Sequence, residues 1–304
     1  MHTSILLIII GLIGLALGGE LLVRGAVGIA KAMGLSTLLT GIIIVGMATS
    51  MPELVTSVEA ARAGSPEIAW GNIVGSNIAN TLLILGATAL IAPIVLTGLG
   101  RRDAAVALGA TIVLAALALS QAGALWIGSG LLTLLVIYII WRINHPRDEE
   151  DDDDTIPRLP MAILLFIGGL AALVFGGKWL VEGAIEIATA AGVSETVIGL
   201  TVVAIGTSLP ELAASVAAAW RGKPGLAIGN VVGSNIYNIF LIGGATMLMA
   251  PAALPRELIG LQMAVLLGSA LMLWVLLWRG RAIGRALGAA LLVAFSANIV
   301  LTLA

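Results

Sequence analysis

Sliding the sequence over itself by 158 positions lays Gly18–Pro93 on Gly176–Pro251 without a gap. About 40 of about 75 positions then coincide, far above chance for two apolar segments. "TSMPEL" (49–54) falls on "TSLPEL" (207–212), and "GNIVGSNIAN" (71–80) on "GNVVGSNIYN" (229–238). The chain is therefore two copies of one unit, and any fold must accommodate both.

The solvent for those copies follows from composition. Hydrophobic residues make up 60% of the 304 and charged residues 11%, against about half and a quarter in a soluble chain. Apolar runs of roughly 20 residues, each long enough to cross a bilayer, recur about ten times, five per copy. The expected fold is all-α and polytopic, about ten transmembrane helices in two five-helix repeats. Residues 1–142 form the first repeat, 143–159 an acidic linker and 160–304 the second repeat. The N-terminus carries no basic segment ahead of its apolar run, so it does not read as a cleaved signal.

An odd number of spans per copy makes the second enter the membrane from the opposite side. With the N-terminus outside, Lys31, Arg101, Arg102, Arg142, Arg147, Arg158, Arg221, Lys223, Arg279, Arg281 and Arg285 fall on the cytoplasmic side. Only Arg62 and Arg256 fall outside. This bias predicts both termini outside and a cytoplasmic central loop. Inverted repeats place a transport site at the midplane, where the copies meet.

Glu53 and Glu211 mark that site. A carboxylate at membrane depth costs about 2.5–3.5 kcal/mol on insertion scales, so a compensating partner is required. Pro52 and Pro210 lack an N–H and clash with the carbonyls of Ala48 and Gly206, opening the helix just before each glutamate. Freed backbone is tolerated at that depth where it lines a cavity or is buried in protein. Thr49, Ser50, Thr207 and Ser208 put hydroxyls at the same breaks. The donor set is hard oxygen, which suits Ca²⁺ and Na⁺, and there is no cysteine to offer thiolate.

In the second motif Asn72, Ser76 and Asn80 share one helical face, as do Asn230, Ser234 and Asn238. Asn80 and Asn238 read as ligands, Asn72 and Asn230 as interhelical glue. Gly71, Gly75, Gly229 and Gly233 form an adjoining small-residue seam.

These paired blocks resemble the alpha repeats of the cation/calcium exchanger superfamily, in particular its prokaryotic sodium/calcium exchangers. The resemblance covers essentially the whole chain. It implies two inverted five-helix repeats whose second, third, seventh and eighth helices form the ion-binding core. The first and sixth helices would slide across that core. It further implies that Glu53 and Glu211 hold Ca²⁺ with the carbonyls of Thr49 and Thr207. Flanking Na⁺ sites would use the carbonyls of Gly46 and Ala204 and the hydroxyls of Ser76 and Ser234. Asn80 and Asn238 would face the centre, with Ser50 and Ser208 close by. Many relatives place an aspartate at one of the last positions of the second motif. Both positions are asparagine here, which speaks against a K⁺-dependent subtype.

The expectation is thus a secondary antiporter of the plasma or inner membrane exchanging Na⁺ for Ca²⁺. The alternatives are a proton-coupled antiporter and a cation channel. Its partners would be the bilayer and the transported ions. No cofactor, nucleic acid or obligatory oligomer is expected, and no nucleophile–base arrangement or phosphate loop suggests an enzyme. The run Asp148–Asp154 reads as a solvated loop. Glu20–Arg24 and Lys178–Glu182 occupy equivalent positions with exchanged signs. They are either intrahelical pairs or a seam joining the first and sixth helices.

Overall fold

The computed structural model describes residues 2–95, 100–145, 157–192, 204–280 and 282–303. Asp148–Asp154, Arg147, Arg281 and the start of the seventh span (196–203) lie outside the described residues.

The first span is α1 (His2–Met33). The second is broken into α2 (Thr37–Thr49) and α3 (Met51–Arg62), bent by 43°. The break falls at Ser50, whose backbone leaves the helical region (φ −82°, ψ 3°) two residues before Pro52, within the turn that the missing proline N–H opens. Then follow α4 (Pro66–Ile91), α5 (Arg101–Ser120) and α6 (Leu125–Asn144). The second half repeats the order. It comprises α7 (Leu159–Ala190), the broken α8 (Ala204–Thr207) and α9 (Leu209–Trp220), α10 (Pro224–Met249), α11 (Leu261–Arg279) and α12 (Arg285–Leu303).

Two packings establish that the copies are inverted. Along α1 and α7, Gly11 and Gly14 meet Gly176, Gly18 meets Gly169 and Leu173, and Gly25 meets Ala162 and Phe166. Numbers rise on one helix as they fall on the other, so these repeat-equivalent helices run antiparallel. Along α2 and α10, Gly41 meets Leu226 and Gly229, and Gly46 meets Asn230 and Ser234. Those helices run parallel, whereas α4, the equivalent of α10, returns against α2 and α3 after a short turn. Inversion also interlocks the halves. Gly288 of α12 lies on Gly86 of α4, and Gly128 of α6 lies on Gly244 of α10. The last helix of each half thus covers the third helix of the other.

The glycines that recur along α1 and α7 differ in what they face. Gly11, Gly14, Gly18, Gly169 and Gly176 form the α1–α7 contact, Gly19 faces α9, and Gly177 turns toward Leu209 and Pro210. Gly168 is exposed and takes no part. Gly229 and Gly233 pack on α2 at Leu38–Ile42. The partners symmetry would give Gly71 and Gly75, at 196–200, lie outside the described residues.

At Gly25 a Cβ would sit 2.4 Å from the Phe166 nitrogen and 2.6 Å from the Ala162 oxygen, both backbone atoms that cannot swing aside. Gly25→Leu should therefore force α1 and α7 apart and cost about 1–3 kcal/mol of stability. Gly168→Leu should leave the melting temperature in detergent close to wild type. Equal melting for the two variants would contradict this packing.

The charged pairs settle as intrahelical bridges. Arg24 reaches Glu20 at 2.7 Å and Lys178 reaches Glu182 at 3.7 Å. The antiparallel register sets Glu20 opposite position 167, many residues from Lys178, so no cross-helix seam forms between these pairs. Glu20 is bound additionally by Arg221 at the end of α9. Within the first half, Arg142 Nε and the Tyr138 hydroxyl both donate to Asp103 Oδ1, at 2.7 and 2.8 Å, joining α5 to α6.

Candidate ion-binding site

The two proline breaks face one another at the centre of the helix core. Glu53 and Glu211 are each 2% exposed. Glu211 lies against Thr49 and Ser50 of the other half and within electrostatic reach of Glu53. Among the described residues no Arg or Lys is paired with either carboxylate.

The polar accounting around them is incomplete in a patterned way. Buried side-chain oxygens normally have hydrogen-bond partners. Here Ser50 Oγ, Glu53 Oε2, Ser208 Oγ, Glu211 Oε2 and Asn238 Oδ1 have none among the described residues. Four of these five form two repeat-equivalent pairs, so the deficit belongs to the design of both halves. Oxygens without protein donors, beside two carboxylates, form a donor set that a hard cation would satisfy. Among the described residues no three His, Asp, Glu or Cys cluster together, so such a cation would rely on two carboxylates and neutral oxygens.

Asn72 and Asn230 do serve as glue. Asn72 Nδ2 donates to the Glu53 carbonyl at 3.3 Å and to Ser57 Oγ at 2.9 Å. Asn230 Nδ2 donates equivalently to the Glu211 carbonyl at 3.1 Å and to Ser215 Oγ at 2.9 Å. Each asparagine thereby fixes the first turn after the break. Asn230 Oδ1 also accepts from the Thr49 hydroxyl at 3.1 Å, tying the first half's break to the second half.

Of the other expected residues, the Ser234 hydroxyl lies 3.5 Å from the Gly46 carbonyl, which brings those two together. Ser76 is buried in α4, and Asn80 and Asn238 are buried at equivalent depths. Thr207 closes α8, and Ala204 opens it beside residues outside the described set.

Three features escaped the sequence reading. Ser57 and Ser215 were legible, because each stands four residues after its glutamate and the pair coincides in the 158-residue shift. Asn77 and Asn235 coincide likewise. The third had no sequence signal. The helix widens into π-turns at Asn80–Ile84 and Asn238–Ile242, each beginning at the last asparagine of the motif, and again at Gly41–Gly46. Single π-turns inside α-helices often accompany functional sites, because they turn a side chain out of the regular register.

Comparison with known proteins bears on this architecture. The family model described as "Sodium/calcium exchanger protein" matches residues 3–144 and 161–304. The chain belongs to the sodium/calcium exchanger family. Similar relatives of this exchanger family member include the "Putative antiporter CaxA" of Alkalimonas amylolytica. It is 36% identical, with 97% of both chains covered. The "Sodium/calcium exchanger MaX1" of Methanosarcina acetivorans is 31% identical over 98% of this chain and 97% of its own. A solved structure of the sodium-calcium exchanger NCX_Mj superposes with a TM-score of 0.87 at 33% identity, covering 98% of each chain.

This exchanger is asymmetric as described. Gly19 of α1 lies on α9, its built Cβ 2.9 Å from the Ala213 oxygen and 3.1 Å from Ala217 Cβ. In the other half the equivalent contact would set Gly177 of α7 on Val55 and Glu59 of α3. Gly177 has instead Leu209 Cβ at 3.7 Å as its nearest neighbour, and Val55 is 54% exposed. At these positions α1 covers the flank beside α9 and α7 does not cover the flank beside α3, while both glutamates stay buried.

Proposed function

We propose that this protein is a secondary antiporter that exchanges Na⁺ for Ca²⁺ across the cell membrane. Glu53 and Glu211 hold Ca²⁺, helped by the carbonyls of Thr49 and Thr207. Na⁺ takes flanking positions at the carbonyls of Gly46 and Ala204 and the hydroxyls of Ser76 and Ser234. Asn80 and Asn238 face the centre, and Ser50 and Ser208 line it. The observation that carries this reading is the mirrored set of buried oxygens that, among the described residues, lack donors around two carboxylates with no cationic partner. A net charge of about −2 suits one Ca²⁺ or two to three Na⁺, and shared ligands make the two loads exclusive. Exclusive occupancy is the condition for exchange, because each ion then leaves only when the other replaces it.

With the N-terminus outside, α9 leads toward the cytoplasm and α3 toward the exterior. The covered flank at Gly19 is then cytoplasmic and the uncovered flank at Val55 external. Moving α1 and α7 together along their antiparallel seam would lift Gly19 off α9 and bring Gly177 onto α3, exchanging the open side.

Proteoliposomes loaded with Na⁺ and diluted into Na⁺-free medium should take up radioactive Ca²⁺, with uptake saturating and collapsing when the Na⁺ gradient is removed. Saturating Na⁺ should likewise weaken Ca²⁺ binding to the purified protein. Uptake driven equally by a pH gradient alone would replace Na⁺ with the proton as the coupling ion. Flux that needs no counter-ion would make the protein a channel.

A further inference from the structure

A buried hydrogen-bond chain beside the site distinguishes the two halves. Asn80 Nδ2 donates to Asn235 Oδ1 at 3.1 Å, and Asn235 Nδ2 donates to Thr81 Oγ1 at 3.1 Å. All three residues are buried. The chain leaves the first half, crosses to the second and returns.

Its polarity has a consequence. An amide carries its oxygen and its nitrogen on opposite sides. Committing the Asn80 nitrogen to Asn235 turns the Asn80 oxygen away from Asn235. Asn235 can accept that bond only with its own oxygen, which leaves its nitrogen in need of an acceptor. The Thr81 hydroxyl oxygen is that acceptor. Without Thr81, the Asn235 amide loses nothing by turning over, and Asn80 would then have to present its oxygen to Asn235 instead.

Among the described residues the second half has no such chain. The equivalent of Thr81 is Ile239, which offers no acceptor. Asn77, the equivalent of Asn235, donates to Ile73 O of its own helix at 2.7 Å. Both Asn77 Oδ1 and Asn238 Oδ1 are buried without a hydrogen-bond partner among the described residues.

We infer that Asn235 and Thr81 are positioning residues that hold the amide oxygen of Asn80 toward the transported cation, through a lock built into the first half alone. Neither touches the ion; each acts through Asn80. The inference rests on reading the Glu53–Glu211 centre as the cation site. It makes the two central asparagines unequal, with Asn80 a fixed ligand and Asn238 a side chain whose oxygen is set only when an ion is present.

Calorimetric titration of Ca²⁺ into the purified full-length protein tests this with four variants. Thr81→Val keeps the side-chain volume and removes the acceptor, and Thr81→Ser restores it. Thr81→Ala removes the same hydroxyl without any risk of overpacking and stands in if the valine variant does not fold. Glu53→Gln reports on the site itself. Loss of one buried hydrogen bond predicts a rise in Ca²⁺ Kd of about fivefold for Thr81→Val, with Thr81→Ser within about twofold of wild type. The melting temperature without Ca²⁺ should fall slightly in Thr81→Val, as one lost buried hydrogen bond requires, and Thr81→Ser should rescue Ca²⁺ binding, which a merely space-filling role of Thr81 would not predict. An unchanged Kd in Thr81→Val, or equal weakening in Thr81→Ser, would overturn the lock. If that happens while wild type binds Ca²⁺ and Glu53→Gln does not, the cation site stands and only the lock is lost. If Glu53→Gln binds Ca²⁺ as wild type does, the site reading fails and takes the lock with it.

Discussion

Glu53→Gln and Glu211→Gln should each lower Na⁺-driven Ca²⁺ uptake by on the order of 100-fold or more, with the fold intact. An amide preserves the shape of the carboxylate and removes one of two formal charges at the centre. Losing one partner of a buried ionic contact typically costs about 3–5 kcal/mol, and each 1.4 kcal/mol is about a factor of ten in binding. A divalent ion has no reason to leave water for a site of net charge about −1. Stability should move the other way. Both carboxylates are buried without a cationic side chain among the described residues, so each variant removes a desolvated charge. Its melting temperature in Ca²⁺-free detergent should equal or exceed that of wild type. Because either variant already empties the site, the double variant should be no worse than the singles. Radioactive Ca²⁺ uptake beside thermal melting makes the check. Near-normal flux in either single variant would remove these glutamates from the ion path.

The fold was legible because its two strongest constraints are written linearly. Hydropathy marks the spans, and the 158-residue shift makes the second half a copy of the first, so an odd span count dictated inversion. The breaks were legible because a proline acts on a known carbonyl, and the bend at Ser50 stands where Pro52 puts it. Asn72 and Asn230 were legible as glue, and their bonds to Ser57 and Ser215 join the helices as that reading requires. Other features depend on three-dimensional register. The signs of Glu20, Arg24, Lys178 and Glu182 left an intrahelical and a cross-helix pairing open. Only the antiparallel offset of α1 against α7 decides between them, and no sequence period carries that offset. Arg221 as a partner of Glu20 is likewise a contact across 201 residues. The π-turns at Asn80 and Asn238 leave no residue signature, and the difference between Thr81 and Ile239 gains meaning only when Asn235 is seen between them.

Joining α1 to the core should stop exchange. In the described conformation Gly19 and Ala217 are neighbours, the built Gly19 Cβ lying 3.1 Å from Ala217 Cβ. A disulfide spans Cβ atoms about 3.5–4.5 Å apart, so Gly19→Cys with Ala217→Cys should cross-link after a small outward adjustment. The chain has no cysteine to compete. Oxidation should then hold α1 on α9, abolish Na⁺-driven Ca²⁺ uptake and confine access to the centre to the flank beside Val55. Reduction should restore uptake. The equivalent pair is Gly177→Cys with Glu59→Cys. Those positions are apart here, since Gly177 has Leu209 as its nearest neighbour. If α1 and α7 move as one unit, that second pair should cross-link slowly, only while the opposite state is visited, and trap the centre open on the other flank. A membrane-impermeant thiol reagent aimed at a third cysteine near the centre would read which side is open. The two locked proteins should then label from opposite sides of the membrane. Slow formation of the second bond carries the most information, because it reports the transition itself rather than either end state. Full exchange with the first bond confirmed closed would exclude helix sliding as the access step. The proline breaks at Ser50 and Ser208 would then have to serve as local gates.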